Sequence, residues 1–160
     1  MQLMIPPTIR IPLTNGQFAI VDESDFQKVS PHKWYASARG KYWYAMTNLP
    51  GKRTNRKRMS MHRLILPGAK IVDHKNHDTL DNRRCNLRET TQQLNQANRA
   101  IDKGRKFKGV HRKRKRWGVI ISSGGERVNI GTFKSPETAA RIYDQAARLR
   151  WGEYAFTNFP

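Results

Sequence analysis

AKIVDHKNHDTLDNRRCNLRETTQQLNQANR, residues 69–99, decides how the centre of the chain is read. AKIVDH has the apolar and β-branched content of a short strand, and it ends on Asp73-His74. KNHDTLDNRR is almost wholly polar and reads as a loop, after which CNLRE supplies a return strand. QQLNQANR then reads as a helix, with the hydroxyl of Thr90 or Thr91 available to cap it. The order is strand, long loop, strand, helix, over residues 69–100.

Upstream, QFAIVD reads as a strand and ESDFQKV as a short helix. KWYASA and KYWYAMTN, separated by Arg39-Gly40, form a hairpin pattern. A turn at Pro50-Gly51 leads into KRTNRKR, a basic arm or loop, and MSMHRLIL runs on to Pro67-Gly68. Downstream, IDKGRKF at 101–107 is the linker candidate. KGVHR, RWGVIIS and RVNIGTF are strand-like, and Gly124-Gly125 supplies a hairpin turn with positive φ. Ser135-Pro136-Glu137 opens a helix that Gly152 ends, with Ala139, Ala140, Tyr143, Ala146 and Ala147 at helical spacing on a core face. The expected class is α+β. A β-rich leader and the strand–loop–strand–helix core fill residues 1–100, and a three-stranded antiparallel sheet with one helix fills 108–160.

Charge limits the partners. The 160 residues hold 31 Lys and Arg against 12 Asp and Glu, a formal +19. Such a surplus in a small protein implies a polyanion, and nucleic acid is the commonest. The apolar runs are too short for a membrane span, and the N-terminal MQLMIPPTIRIPL lacks a signal-like stretch, so a cytoplasmic location is expected. Cys85 stands alone, which excludes an internal disulfide and a cysteine-cluster zinc site.

Asp73-His74 carries the chemistry. Phosphodiester hydrolysis needs a base to activate water and a cation at the phosphate. Histidine titrates in the right range, and a carboxylate suits Mg²⁺. Adjacent strand residues normally point to opposite sides, so the dipeptide alone also fits a solvated turn. His77 reads as solvent-exposed, His62 as core beneath the site, Asn82 as a loop-shaping residue and Cys85 as a small strand residue. Arg83, Arg84 and Arg88 fit either phosphate contacts or a generic basic surface.

The run VDHKNHDTLDNRRCNLRETTQQLNQAN resembles the HNH (ββα-metal) nuclease signature, particularly the phage and intron-type homing endonucleases. The resemblance implies that Asp73 is a metal ligand and His74 the general base. It implies that Asn86, in the pair with Leu87, braces the loop and fixes the histidine. Asn95 on the helix falls where the family's second metal ligand lies, with Asn in place of the more frequent His. The cation expected is Mg²⁺, with Mn²⁺ as the alternative. The partner expected is double-stranded DNA, cut by a monomer one strand at a time, in a bacterial or phage-infected cell; no small-molecule substrate is implied.

From FKGVHRKRKRWGVIIS to the end, the chain resembles the AP2 DNA-binding domain, through Gly109-Val110, Trp117, Ile130-Gly131-Thr132-Phe133, Ala139-Ala140, Tyr143-Asp144, Ala146-Ala147 and Asn158-Phe159. In that family a three-stranded sheet enters the major groove with a helix behind it. Lys108, His111, Arg112, Lys113, Arg114, Arg116, Arg127 and Asn129 are the DNA-binding candidates. His111 and Asn129 stand where the plant domains carry Arg and Trp, so their preferred sequence does not transfer. Trp117 reads as sheet packing rather than base stacking. Two other readings remain: a DNA-binding regulator with an inactive nuclease core, and an RNA-binding protein, against which a groove-reading sheet argues.

Overall fold

The computed structural model describes residues 6–51, 57–101 and 104–159. Most of the expected basic arm, residues 52–58, and part of the expected linker lie outside the described residues. The chain packs as two compact units, one up to Thr90 and one from Thr91 onward.

The first unit opens with an antiparallel hairpin, β1 (Thr8–Pro12) and β2 (Phe18–Asp22), that places Ile11, Ala19 and Val21 in the core. The sequence reading found β2 but not β1, whose closing Pro12 and interleaved Thr8 and Arg10 hide a five-residue strand. A 3-10 turn, Glu23–Asp25, leads into the single-turn helix α1 (Phe26–Val29). β3 (Tyr35–Arg39), β4 (Tyr42–Asn48) and β5 (Arg58–Ser60) then form one antiparallel sheet, order β3-β4-β5. Helix α2 (Met61–Ile65) buries Met61 and Ile65 completely against Val21 and Val29. Each such burial is worth roughly 1.5–3 kcal/mol. The two-stranded ribbon β6 (Ile71–His74) and β7 (Leu87–Thr90) closes the unit, with Asp73 opposite Arg88 and His74 opposite Leu87.

The second unit begins with α3 (Gln92–Ala97), capped by the Thr91 hydroxyl accepting from Leu94 N–H. It continues with β8 (Val110–Lys113), β9 (Arg116–Ser123) and β10 (Glu126–Phe133) in the antiparallel order β10-β9-β8. Gly124 and Gly125 turn β9 into β10 with φ of 60° and 88°. Helix α4 (Pro136–Trp151) is capped by Ser135 and packs Ala139, Tyr143 and Ala147 against Val119 and Ile121. A domain boundary at residue 100 leaves α3 with the first domain, but its packing is with the second. Ala97 and Leu94 join the core around Val119 and Trp151, and Lys108 donates to the carbonyls of Ala97 at 2.5 Å and Arg99 at 2.7 Å. No helix among the described residues is long and apolar enough to cross a membrane.

Candidate active site

The loop from Lys75 to Asn86 is held by one side chain at its foot. Asn86 Oδ1 accepts from Asn76 N–H at 2.9 Å and its Nδ2 donates to Asp81 O at 2.7 Å, while its carbonyl accepts from Lys75 N–H. Asn86 therefore ties the two ends of the loop together. The loop's far end is hung on β2: Ile20 N–H donates to Leu80 O at 2.9 Å and Asn82 N–H to Ile20 O at 2.7 Å. Asp81 anchors the middle through Asn76 Nδ2 and a two-pronged contact from Arg83, both nitrogens at 2.7 Å.

His74 ends β6 and is buried. Its ring meets His62 with centroids 5.2 Å apart and Tyr44 at 6.4 Å, while Tyr44 and His62 are 5.9 Å apart. Burial lowers the pKa of His74; the Asn82 carboxamide and the carboxylates of Asp73, Asp78 and Asp81 pull the other way without overcoming it. The imidazole is thus neutral at neutral pH and able to accept a proton. Asn82 stands near enough to the ring to hold its pKa up, while Asn86 reaches it only through the loop. Asn82, almost fully buried, also donates from Nδ2 to Leu80 O.

Asp73 is buried beside it, and Arg88 on the facing strand donates to its Oδ2 from Nε at 3.0 Å and from a terminal nitrogen at 2.8 Å. The other two arginines considered for phosphate are also engaged. Arg83 holds Asp81, and Arg84 grips Asp25 at 2.6 and 2.7 Å. These are internal braces rather than a generic basic surface. Among the described residues no three of His, Cys, Asp or Glu gather into a cation cage. The carboxylate of Asp73 is an oxygen donor of the kind that hard divalent cations accept. Asn95 lies exposed on α3, in the second unit.

Three minor expectations change. His77 is half-buried rather than exposed, on a turn with φ 64°. Cys85 is exposed in the turn before β7, not in a strand. His62, read as core, is half-buried and edge-on to His74, with Nε2 3.0 Å from Ser60 Oγ. Tyr44 and His62 escaped a functional reading because they lie 30 and 12 residues before His74, with no motif joining them.

In the second unit the strand register sorts the DNA candidates. His111, Gly118 and Thr132 are cross-strand neighbours, as are Lys113 with Arg116, Arg127 with Ser122, and Asn129 with Ile120. Cross-strand partners share a face. His111, Lys113, Arg116, Arg127 and Asn129 therefore lie on the face opposite Val119 and Ile121, which pack toward α4. Arg112 pairs with Trp117 on the helix side and lies over its ring, 5.0 Å from the centroid. Arg114 occupies the β8–β9 turn with φ 54°. The Lys108 amino group is tied to α3 rather than presented by the sheet. Trp117 packs against the core cluster, as expected.

Residues 62–97 match the family of HNH endonucleases. Across 152 residues the chain is 31% identical to an HNH endonuclease of Acanthamoeba polyphaga mimivirus, an alignment covering 89% of this chain and 75% of that protein. A stretch of 62 residues is 44% identical to an AP2/ERF and B3 domain-containing protein of Oryza sativa subsp. japonica, covering 38% of this chain but only 17% of the plant protein. No solved structure gives a significant match. A relative aligned over most of both chains, together with the match across the His74 ribbon, shows that this chain belongs to the HNH endonuclease family.

Proposed function

We propose that this nuclease nicks one strand of duplex DNA, with His74 as the general base and Asn86 as the brace that keeps it in place. The observation that carries the reading is the buried, neutral His74 ring at the end of β6, wedged between His62, Tyr44 and Asn82 beside Asp73. Such a ring takes the proton of a water aimed at phosphorus, and its fixed orientation removes the cost of arranging it. A divalent cation bound at the site, Mg²⁺ by its preference for oxygen donors, supplies Lewis-acid stabilisation of charge on the phosphate. Asp73 is the carboxylate that would hold it, and the family resemblance assigns the amide of Asn95 to the same task. Arg88 fixes the direction of the Asp73 carboxylate from the neighbouring strand. One base serves one phosphodiester, so a single chain cuts one strand at a time.

The second unit serves, in this reading, as an AP2-like reader of duplex DNA. Support comes from the likeness to the rice protein and from Arg116, Arg127 and Lys113 sharing the sheet face turned away from α4. A ribbon of this kind fits the major groove.

Supercoiled plasmid incubated with the protein and Mg²⁺ tests the proposal, beside EDTA and His74→Ala controls. Open circles should precede linear product, and both controls should suppress them; loss of the base costs about 10²–10⁴-fold in rate. Cutting that survives His74→Ala would sink the assignment of the base. Duplex binding without any cutting would favour a regulator with a silent nuclease core. A genomic library replaces the plasmid if the target sequence is rare.

A further inference from the structure

Among the described residues of the first unit four arginines have no carboxylate partner, and one of them, Arg10, lies over the Phe18 ring. Arg83, Arg84 and Arg88 are each matched to an aspartate, namely Asp81, Asp25 and Asp73. Arg39, Arg58 and Arg63 have no carboxylate partner among the described residues, and all three line one cleft of about 250 Å³. Tyr44, Ser60 and His62 line it as well.

This convergence follows from the register of the sheet. Tyr35 and Ser60 both pair with Met46, Tyr44 pairs with Ser37, and Arg58 pairs with Asn48. Residues two apart along a strand share its face, so Arg39, Tyr44, Arg58 and Ser60 emerge together on one side. The chain then enters α2 and adds His62 and Arg63 at the cleft wall. Arg39 leans over the Tyr44 ring, 5.7 Å from its centroid, which orients both toward the same space. At about 30 Å³ per water, the volume is that of about eight waters. That suits one phosphate with part of its sugar and is too small for a stacked base pair.

The location gives the cleft a role. Two of its walls, Tyr44 and His62, are the rings that pack against His74. We propose that this cleft is a phosphate subsite, holding a backbone phosphodiester of the cut strand next to the one presented to His74. Guanidinium forks match phosphate oxygens, and the hydroxyls of Tyr44 and Ser60 add neutral donors to the same group. Burial raises the pKa of Tyr44, with Arg39 opposing, so its hydroxyl keeps the proton it donates. The subsite would set which bond reaches the base by gripping the strand one step away. The proposal rests on His74 being the cutting centre.

The full chain and its Arg39→Gln/Arg58→Gln/Arg63→Gln variant are compared in two assays. The first is equilibrium binding to a plasmid-derived duplex in EDTA across a range of salt. Each phosphate neutralised contributes about 0.9 to the slope of log affinity against log salt. Three arginines on one phosphate should lower that slope by about 1, and three on separate phosphates by about 3. The second assay is plasmid nicking with Mg²⁺, where the loss should fall on KM, by about tenfold or more, rather than on kcat. Replacing all three with Lys should restore the salt slope and only part of KM, because lysine keeps the charge but not the fork. A slope unchanged by the Gln variant, or one lowered by about 3, overturns the subsite. Failure of the wild-type chain to nick sinks the catalytic reading and leaves the binding assay to decide on the cleft.

Discussion

The rings of His62 and His74 meet edge to face, with centroids 5.2 Å apart and planes at 89°. Burial pushes the pKa of His62 down to about 3, and charge on His74, Arg63 and Arg39 adds to the effect. The unfolded chain, with a histidine pKa near 6.5, takes up this proton first. His62 therefore contributes stability that is fully present above about pH 6.5 and drains away as pH falls toward about 3, by at most about 1.4 kcal/mol per unit. His62→Phe should flatten the pH dependence of urea unfolding across that window, leaving the part due to His74. An unaltered slope would show that His62 is not buried neutral.

Arg88 and Asp73 face each other across the ribbon, both buried. Arg88→Ala takes the guanidinium away from a carboxylate that stays inside. It should cost about 3–5 kcal/mol of unfolding free energy. Denaturant titration measures this, and a loss below about 1 kcal/mol would mean that the pair behaves as a solvated one.

Two arginines on the second unit's sheet should behave differently. Arg127→Ala, on the face away from α4, should weaken duplex binding and reduce the salt slope by about 1. Arg112→Ala should leave the slope alone and lower thermal stability by the value of its stack on Trp117, about 0.5–1 kcal/mol. Anisotropy at several salt concentrations, with melting curves, checks both. Equal slope changes would overturn the division of the two faces.

Gly109 has φ 72°, and a Cβ there would lie 2.0 Å from the Tyr143 ring. Gly109→Ala should destabilise the second unit by about 1–3 kcal/mol from overpacking, added to the left-handed backbone penalty of about 1–2 kcal/mol. Gly104, at φ 87° with nothing within 4 Å, is the control and should carry only the backbone penalty. Thermal melts of both variants give the comparison; equal losses would mean that Tyr143 yields.

Much of this was legible because it is local. Strand alternation, the Thr91 and Ser135 caps and the double-glycine turn are each written within a few residues. The strand–loop–strand order that carries Asp73, His74 and Asn86 was legible through family spacing. What escaped joins residues far apart. Arg84 meets Asp25 across 59 positions, and Asn82 bonds to Ile20 across 62. The allegiance of α3 escaped for another reason. Leu94 and Ala97 are apolar enough for either neighbour, and only packing against Val119 and Trp151 decides between them.

The parallel bridge between Ile20 and Asp81 limits how this nuclease motif can be moved. Residues 62–97 contain the family signature, yet the loop inside it is suspended from a strand more than forty residues upstream of that segment's start. Grafted alone into another scaffold, the segment would bring His74 without the rail that sets its loop. The portable part is the signature together with the N-terminal hairpin. Recombination that shuffles such nucleases should therefore join chains before Thr8 rather than at the upstream edge of the motif.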